Sequence, residues 1–322
     1  MVQVSDRMKR WSILGPTAVL PKPLRVASRQ HLLGRLEMAR ALRAKLIIIG
    51  HPKSGNTWLR TMLSRMYQVR HGLPSDFVVK SDELHMRNSD IPPLLATNGY
   101  YSYEGVIGDA LAPDAPSSEL RHSNMVLLAR HPCDIAVSWY IQFTKRQSSY
   151  KNELINSFID HPIDRNAIER WEFVRHSDIG LPFLIEFLND WERRLGSVEN
   201  SAILRYEDLR SNTAATLRRV VDLMGEDFSD EELEATAEWG SFDNLKKLEA
   251  EGQFRSGGMA LVNGVRQNDP DTFKVRRGKV GGFRDYFTDI QVAELEELVE
   301  SRLSPTFGYH KSAMAEGSAA AT

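Results

Sequence analysis

The amino-acid sequence predicts an α/β fold of three layers, with a central parallel sheet flanked by helices. The first observation is an apolar run, Leu46–Ile49, that is followed by a glycine-containing loop and by a helical pattern starting near Trp58. The second is that two later apolar runs, Met125–Ala129 and Ala202–Leu204, also lead directly into helical patterns. Strands that alternate with helices are typical of a parallel sheet, so we expect this architecture.

The residue pattern divides the chain into three parts. Residues 1–45 are expected to be an N-terminal leader, irregular to about residue 27 because prolines are frequent there, followed by a basic amphipathic helix over 28–45. Residues 46–310 are expected to form a single domain. The final stretch, 311–322, is rich in small residues, and we expect it to be disordered.

Within the domain, the spacing of apolar residues predicts further helices. Residues 71–123 carry frequent proline and glycine signals, so we expect loops and short elements there. Residues 252–282 are rich in glycine, lysine and arginine, which is typical of a mobile basic loop. The predicted helices lie at 134–143, within 155–195, and at 208–224, 231–239 and 289–303.

The composition is that of an ordinary globular protein. The 41 Lys and Arg residues nearly balance the 43 Asp and Glu residues, so nothing predicts bulk attraction to nucleic acid or to an anionic membrane. No apolar run approaches the roughly 20 residues of a membrane-spanning helix. Cys133 is the single cysteine, which excludes an internal disulfide and favours a reducing compartment, so we expect a cytoplasmic protein.

The loop after the first predicted strand holds Gly50 and Gly55 at the spacing of the nucleotide-triphosphate pattern G-x-x-x-x-G-K-[ST]. Asn56 replaces the lysine of that pattern, and a lysine occurs three residues earlier instead. The backbone amides of 54–58 at a helix start would still form a nest for a phosphate. The second strand ends in Arg130, where such an enzyme has an Asp that holds magnesium. The pattern therefore predicts a P-loop-type fold that binds an anionic nucleotide without a metal ion.

Four segments resemble the motifs of the sulfotransferase family that uses 3′-phosphoadenosine 5′-phosphosulfate (PAPS). His51–Trp58 is similar to the family's 5′-phosphosulfate loop, except that Asn56 replaces a threonine. Val126–Tyr140 is similar to the 3′-phosphate motif, with His131 where Asn or Asp is usual. Leu204–Leu209 is similar to the segment whose tyrosine lies near the adenine.

The fourth segment, Val275–Phe283 followed by Tyr286–Thr288, is similar to the closing loop R-K-G-x-x-G-D-W. Here Arg277 replaces the lysine, and Gly282–Phe283 replace Asp-Trp. A weaker match, Gly240–Phe242, is similar to the T-S-F segment that packs on the adenine. The matches extend over most of the chain, and their common order makes them more specific than any single motif.

The resemblance implies PAPS as co-substrate, adenosine 3′,5′-bisphosphate (PAP) as product, and no metal ion. In-line displacement at sulfur places charge on the leaving phosphate oxygen, so we expect the Lys53 ammonium to stabilise that oxygen. A plain phosphate-binding role for Lys53 is the alternative. The residues that the resemblance assigns to the nucleotide are Lys53, Ser54, Gly55, Asn56, Thr57 and Trp58 at the 5′ group, Arg130, Ser138, Arg276, Arg277 and Gly278 at the 3′-phosphate, and Tyr206, Ser241 and Phe242 at the adenine.

The general base is the least defined part of the prediction. Family members carry a His on a K-T-H segment, or a Glu, between the first two motifs. The counterpart here is Ala96–Asn98, and the amide of Asn98 cannot accept a proton at neutral pH. His85, Glu104 and Asp109 are the substitutes in this region. We take His85 and Glu104 as the catalytic candidates, with a protein that lacks a base as the alternative.

The sequence thus predicts transfer of a sulfuryl group to a hydroxyl, or less readily an amine, of a small-molecule, glycan or lipid acceptor. Two alternatives stay open. A small-molecule kinase is disfavoured by Asn56 and Arg130, whereas Asn98 leaves room for a catalytically silent PAPS-binding protein. We expect no nucleic-acid partner and no transmembrane segment, and a homodimer is compatible with the sequence.

Overall fold

The computed structural model describes residues 5–74, 81–100, 102–116, 118–251 and 279–310. Their strands form one sheet in the order β2-β1-β3-β4, in which every neighbouring pair is parallel. Helices cover both faces of this sheet, which confirms the predicted three-layer α/β fold. The strands are β1 (Leu46–Ile49), β2 (Leu94–Thr97), β3 (Asn124–Ala129) and β4 (Asn200–Arg205).

The helices follow in chain order. They are α1 (Asp6–Thr17), α2 (Lys22–Ala41), α3 (Asn56–Arg70), α4 (Ser81–Arg87), α5 (Val106–Asp109), α6 (Pro132–Ile141), α7 (Ser149–Asn156), α8 (Arg170–Arg175), α9 (Leu181–Leu195), α10 (Tyr206–Ser211), α11 (Thr213–Met224), α12 (Asp230–Trp239), α13 (Phe242–Ala250) and α14 (Asp289–Arg302). A π-helical turn, Gln142–Arg146, extends α6, and a 3₁₀ turn, Ser102–Gly105, precedes α5.

The core lies on both faces of the central strand β1. Successive side chains of a strand point to opposite faces, so Ile47 and Ile49 pack in the cluster that includes α9, whereas Leu46 and Ile48 pack in the cluster that includes α3 and α11. All four β1 side chains are fully buried. A continuous apolar run is what a parallel strand covered on both sides requires.

The register brings the functional loops together. Ile49, the last residue of β1, pairs with Thr97 of β2 and Leu127 of β3, and Ala129 pairs with Arg205 of β4. Because the strands are parallel, their carboxyl ends lie along the same edge of the sheet. The loops that follow all four strands therefore begin along one edge, which we call the carboxyl edge.

The prediction of an irregular N-terminal leader to about residue 27 was wrong. Residues 6–17 form α1, capped by Ser5, whose side chain accepts a hydrogen bond from the Met8 amide. Pro21 and Pro23 lie at the start of α2, where the missing N–H of a proline costs nothing. Two of the prolines that indicated irregular chain thus begin a helix, and the third, Pro16, lies in the last turn of α1. Helix α2 covers 22–41 instead of 28–45.

Residues 71–123 hold loops and short elements, as expected, and one of the short elements is strand β2. The strand is four residues long and follows Pro92 and Pro93. Proline is tolerated there because β2 lies at an edge of the sheet. The helical pattern at 208–224 is divided at Asn212, and the one within 155–195 is interrupted at 157–169 and at 176–180.

Two predictions fall on residues that the structure does not describe. Most of the basic loop, 252–278, and the tail, 311–322, lie outside the described residues. The three-part domain division stays a prediction.

Candidate active site

The loop between β1 and α3 is shaped by glycine. Gly55 caps α3 in the left-handed region, with φ of 110°, which favours glycine. A Cβ added there would lie 2.8 Å from Cδ2 of Tyr206, so a side chain would also collide with a ring. The first amides of a helix have no acceptor within the helix. Those at the start of α3 therefore form a site suited to an anion.

Two buried oxygens of the same loop lack hydrogen-bond partners among the described residues, namely Ser54 Oγ and Asn56 Oδ1. Both lie close to Gly50, because a Cβ added there would be 2.5 Å from the first and 2.6 Å from the second. Asn56 Nδ2 instead donates to the Gly50 carbonyl at 2.8 Å. A buried hydroxyl without a partner carries a free-energy cost, so the loop fits a ligand that supplies hydrogen bonds.

Lys53 has a positive φ of 81°, which is uncommon for a residue with a side chain. Its carbonyl accepts a hydrogen bond from Nη1 of Arg130 at 3.1 Å. The same guanidinium lies 4.4 Å above the ring of Tyr206 and reaches the Lys279 carbonyl at 3.4 Å. Arg130 therefore connects the loops after β1 and β3 with the start of α10 and the segment from residue 279.

Asp134 anchors that last segment to α6. Its carboxylate, which is buried, accepts from the amide of Gly281 at 2.8 Å and from that of Phe283 at 2.9 Å. The ring of Phe283 stacks on His131 with centroids 5.3 Å apart. Sequence reasoning did not single out Asp134. Its position in the first turn of α6, four residues after Arg130, could have indicated a carboxylate that holds a neighbouring segment.

Aromatic side chains gather around Tyr206. Trp58 meets its ring edge to face at 5.6 Å, and the indole of Trp58 donates to the Gly240 carbonyl at 2.7 Å. Phe242, half-buried at the start of α13, lies beneath the Arg210 guanidinium at 5.3 Å. Ser241 is exposed and caps α13 by accepting from the Asn244 amide. The structure thus brings Trp58 and Tyr206 together and links them to the segment before Phe242.

The residues predicted for a 3′-phosphate are only partly described. Ser138 lies half-buried on α6, about two turns beyond Arg130. Arg276, Arg277 and Gly278 lie outside the described residues, and their role stays a prediction.

A second polar group lies where β2 ends. Asn98 Nδ2 donates to Glu104 Oε2 at 2.6 Å, and Nζ of Lys151 lies 3.6 Å from Glu104 Oε1. Glu104 is 8% exposed. These three residues line a small cavity together with Pro52, Tyr103, Trp139, Gln147 and Ile155. Because Pro52 directly precedes Lys53, this cavity adjoins the loop between β1 and α3, which we call the anion loop.

The charge of Glu104 controls the ionisation of its neighbour. It raises the pKa of the Lys151 ammonium, with a further contribution from Tyr103, and the two outweigh the opposing effect of burial. Burial in turn raises the pKa of the Tyr103 hydroxyl. Lys151 is therefore a cation and Tyr103 a neutral phenol at neutral pH.

The other two candidates for a general base lie elsewhere. His85 Nδ1 donates to the Ile91 carbonyl at 2.8 Å, and Ile91 comes before the amino end of β2. The next residue after α4, Asn88, contacts His71 at the far end of α3, roughly 22 Å from the anion loop by the rise of that helix. Asp109 is exposed. The structure brings only Glu104 to the cavity.

His51, which follows β1, and His131, which follows β3, are neutral. Burial lowers the pKa of His51 to about 3, and burial together with Arg284, Arg130 and Arg205 lowers the pKa of His131 to about 3. Neither supplies positive charge to a bound anion at neutral pH. Among the described residues, positive charge comes from Lys53 and Arg130 on the loops after these strands and from Arg205 and Arg284 near His131.

Within the described part of the chain, no group of three His, Cys, Asp or Glu side chains is arranged to hold a metal ion. No helix in the same residues has both the length and the apolar character needed to cross a bilayer.

The buried histidines predict a pH dependence of stability. Each has a folded pKa of about 3, below its ordinary 6.5, so the unfolded chain binds protons first as the pH falls. Their contribution is complete above pH 6.5 and is lost below it, at about 1.4 kcal/mol per pH unit for each histidine. In urea unfolding between pH 6.5 and 5, the free energy of unfolding should therefore fall as the pH falls. We expect His131→Asn to remove half of the part of this slope that the two buried histidines contribute.

The control for that measurement is His161→Asn, because His161 is exposed, and its removal should leave the slope nearly unchanged. A His131→Asn protein with the slope of the wild type would show that His131 is not held neutral in the folded state.

Comparisons with known proteins agree with this geometry. The curated relatives include cytosolic sulfotransferase 14 of Arabidopsis thaliana, 26% identical over 283 residues, which are 79% of this chain and 73% of the relative. Another is flavonol 3-sulfotransferase of Flaveria bidentis, 21% identical over 304 residues, which are 86% of this chain and 88% of the relative. Mouse sulfotransferase SULT7A1 complexed with PAP has a similar fold, with a TM-score of 0.52 at 17% identity, over 88% of this chain and 94% of that one.

The family model that matches describes a sulfotransferase domain and covers residues 43–307. That range contains all four strands, the anion loop, Arg130 and the polar group of Asn98, Glu104 and Lys151. The chain belongs to the sulfotransferase family.

Proposed function

We propose that this protein transfers a sulfuryl group from PAPS to a hydroxyl group of a small organic acceptor and releases PAP. The observation that carries the proposal is the position of a carboxylate-lined cavity directly beside the anion loop of Lys53. Membership of the sulfotransferase family supports the reaction class, and a structural relative crystallised with PAP supports the choice of nucleotide.

The anion loop is suited to the 5′-phosphosulfate. The amides at the start of α3 and the unpartnered Ser54 hydroxyl are donors for its oxygens. In a nucleotide triphosphatase the residue after the second glycine is a lysine, but here Asn56 bonds the Gly50 carbonyl and closes the loop on itself. Arg130 and Ser138, with Arg276, Arg277 and Gly278, would hold the 3′-phosphate, and Tyr206, Ser241 and Phe242 would border the adenine.

PAPS supplies a sulfuryl group on a phosphate that leaves readily. The acceptor oxygen forms the new S–O bond as the S–O bond to the phosphate breaks, and the electron pair of the broken bond stays on the phosphate oxygen. The role of Lys53 is to place its ammonium at that oxygen, where negative charge increases most in the transition state.

The role of Glu104 is to accept the proton of the acceptor hydroxyl. Asn98, at the position where relatives with a K-T-H segment have a histidine, orients this carboxylate by a 2.6 Å hydrogen bond. An asparagine at that position therefore does not imply a silent protein, because the amide can position a base six residues further along the chain.

The cavity favours an acceptor that is partly apolar. Trp139 and Ile155 line it beside the polar side chains, which suits an alcohol or a phenol with a hydrocarbon body. A glycan or a lipid is less compatible with so small a space. A cytoplasmic location, by analogy with the cytosolic relatives, and a homodimer are further parts of the proposal.

The nucleotide is tested by calorimetric titration with PAP, with ATP as competitor and with or without magnesium. We expect micromolar binding of PAP that does not depend on magnesium and that ATP barely displaces. Preference for magnesium-bound ATP would contradict the proposal and favour a kinase.

For Lys53→Met we expect a loss of about 10²- to 10³-fold in kcat, because the stabilisation acts mainly in the transition state. The affinity for PAP should fall much less. The rate is followed with radiolabelled PAPS and 4-nitrophenol as the probe acceptor. Equal losses in rate and in affinity would instead identify Lys53 as a plain phosphate-binding residue.

The base is tested by comparing Glu104→Gln with His85→Gln. We expect Glu104→Gln to lower kcat by about 10²-fold or more while PAP still binds. His85→Gln should retain most of the activity, because His85 lies near the far end of α3. The opposite result would make His85 the base and contradict the role of Glu104.

A further inference from the structure

Lys151 is a buried cation of the cavity to which the proposed reaction gives no role. It lies on α7 one turn before Ile155, and both residues line the cavity, as expected for positions four apart on one helix face. We propose that Lys151 is a positioning residue, whose ammonium holds the Glu104 carboxylate in the orientation that faces the acceptor. This inference rests on the proposed function, since it assigns a role relative to the same base.

The two oxygens of Glu104 are held differently. Oε2 accepts a short hydrogen bond from Asn98, whereas Oε1 faces the Lys151 ammonium at 3.6 Å. That separation is too long for a hydrogen bond but within the range of a strong charge interaction. Oε1 therefore has an attractive charge beside it and still has the capacity to accept a proton from an acceptor hydroxyl.

The ammonium of Lys151 is a lasting partner for the carboxylate. Glu104 raises the pKa of Lys151 more than burial lowers it. A buried carboxylate is costly unless it is paired, and Lys151 supplies the paired charge at Oε1. Lys151 keeps its own protons throughout, so it takes no part in the proton transfer itself.

Helix α7 is held in place from its other side. Glu153, two residues after Lys151, points away from the cavity and accepts from Arg25 Nε and Arg29 Nη1 of α2, each at 3.1 Å. A glycine of α2, Gly34, allows that helix to approach the segment that carries Glu104, since a Cβ there would lie 3.0 Å from Val106 Cγ1.

Both members of the Glu104–Lys151 pair therefore depend on α2, which precedes the residues matched by the family model. The N-terminal helices supply the contacts that set the position of the pair in the domain.

The ion pair is tested without an acceptor by NMR of ¹⁵N-labelled lysine side chains, with Lys151→Arg used to assign the Lys151 signal. In the wild type we expect the Lys151 signal to remain that of an ammonium up to high pH. In Glu104→Gln the pH at which Lys151 loses its proton should fall, because Glu104 is the largest cause of the raised pKa of Lys151. A pH that Glu104→Gln does not change would overturn the proposal.

The effect on the reaction is tested with PAPS and 4-nitrophenol. We expect Lys151→Met to lower kcat on the order of tenfold or more, with a much smaller change in the KM for 4-nitrophenol. Lys151→Arg should restore most of the rate, and Lys45→Met, an exposed lysine at the opposite edge of the sheet, should resemble the wild type.

These results separate the two proposals. A wild type that does not bind PAP would contradict the proposed function, while the NMR comparison with Glu104→Gln still decides whether the ion pair exists. A wild type that is active, with a Lys151→Met variant of unchanged kcat, would overturn the role of Lys151 and leave the proposed function standing.

Discussion

Parallel pairing of four short strands is the constraint on which the rest of the structure depends. Ile49, Thr97, Ala129 and Arg205 end their strands at one edge of the sheet, so segments far apart in sequence begin there side by side. The anion loop, the cavity carboxylate, the Arg130 guanidinium and the adenine-side tyrosine all follow from this edge. These groups lie near one another because each follows the end of a strand, so no long connecting segment is needed to bring them together.

The charges at the carboxyl edge of the sheet lie on a few side chains whose positions are fixed by hydrogen bonds and ring contacts. Arg130 bonds backbone carbonyls on two loops and covers an aromatic ring, so its position is fixed before any anion arrives. Asp134 adds a negative charge that accepts from two amides and lies 3.8 Å from Nη2 of Arg130. The neighbouring histidines are neutral. A protein with a net charge of −2 can in this way hold individual cations at a site without a basic surface.

The features that could be predicted from the sequence are those that depend on residues close together in the chain. The strand and loop around Gly55 and the end of β3 at Arg130 follow from patterns within ten residues, and the fold class follows from their alternation. The N-terminal helices were mispredicted because proline breaks a helix inside but begins one at its first turn. The contact of Glu104 with Lys151 joins residues 47 positions apart, and no spacing rule reports it. Glu104 was named as one candidate among three, and only the packing of α7 separates it from His85 and Asp109.

The burial of Cys133 has a practical consequence. Its side chain is fully buried at the start of α6, with Sγ 4.0 Å from the Leu295 carbonyl, and burial raises the pKa of the thiol. Thiol reagents attack the thiolate of an accessible cysteine, so the native protein offers them no target on its surface. A cysteine introduced on an exposed position would consequently be the one reactive thiol of the folded chain, and a spectroscopic probe could be attached there without first removing the natural residue.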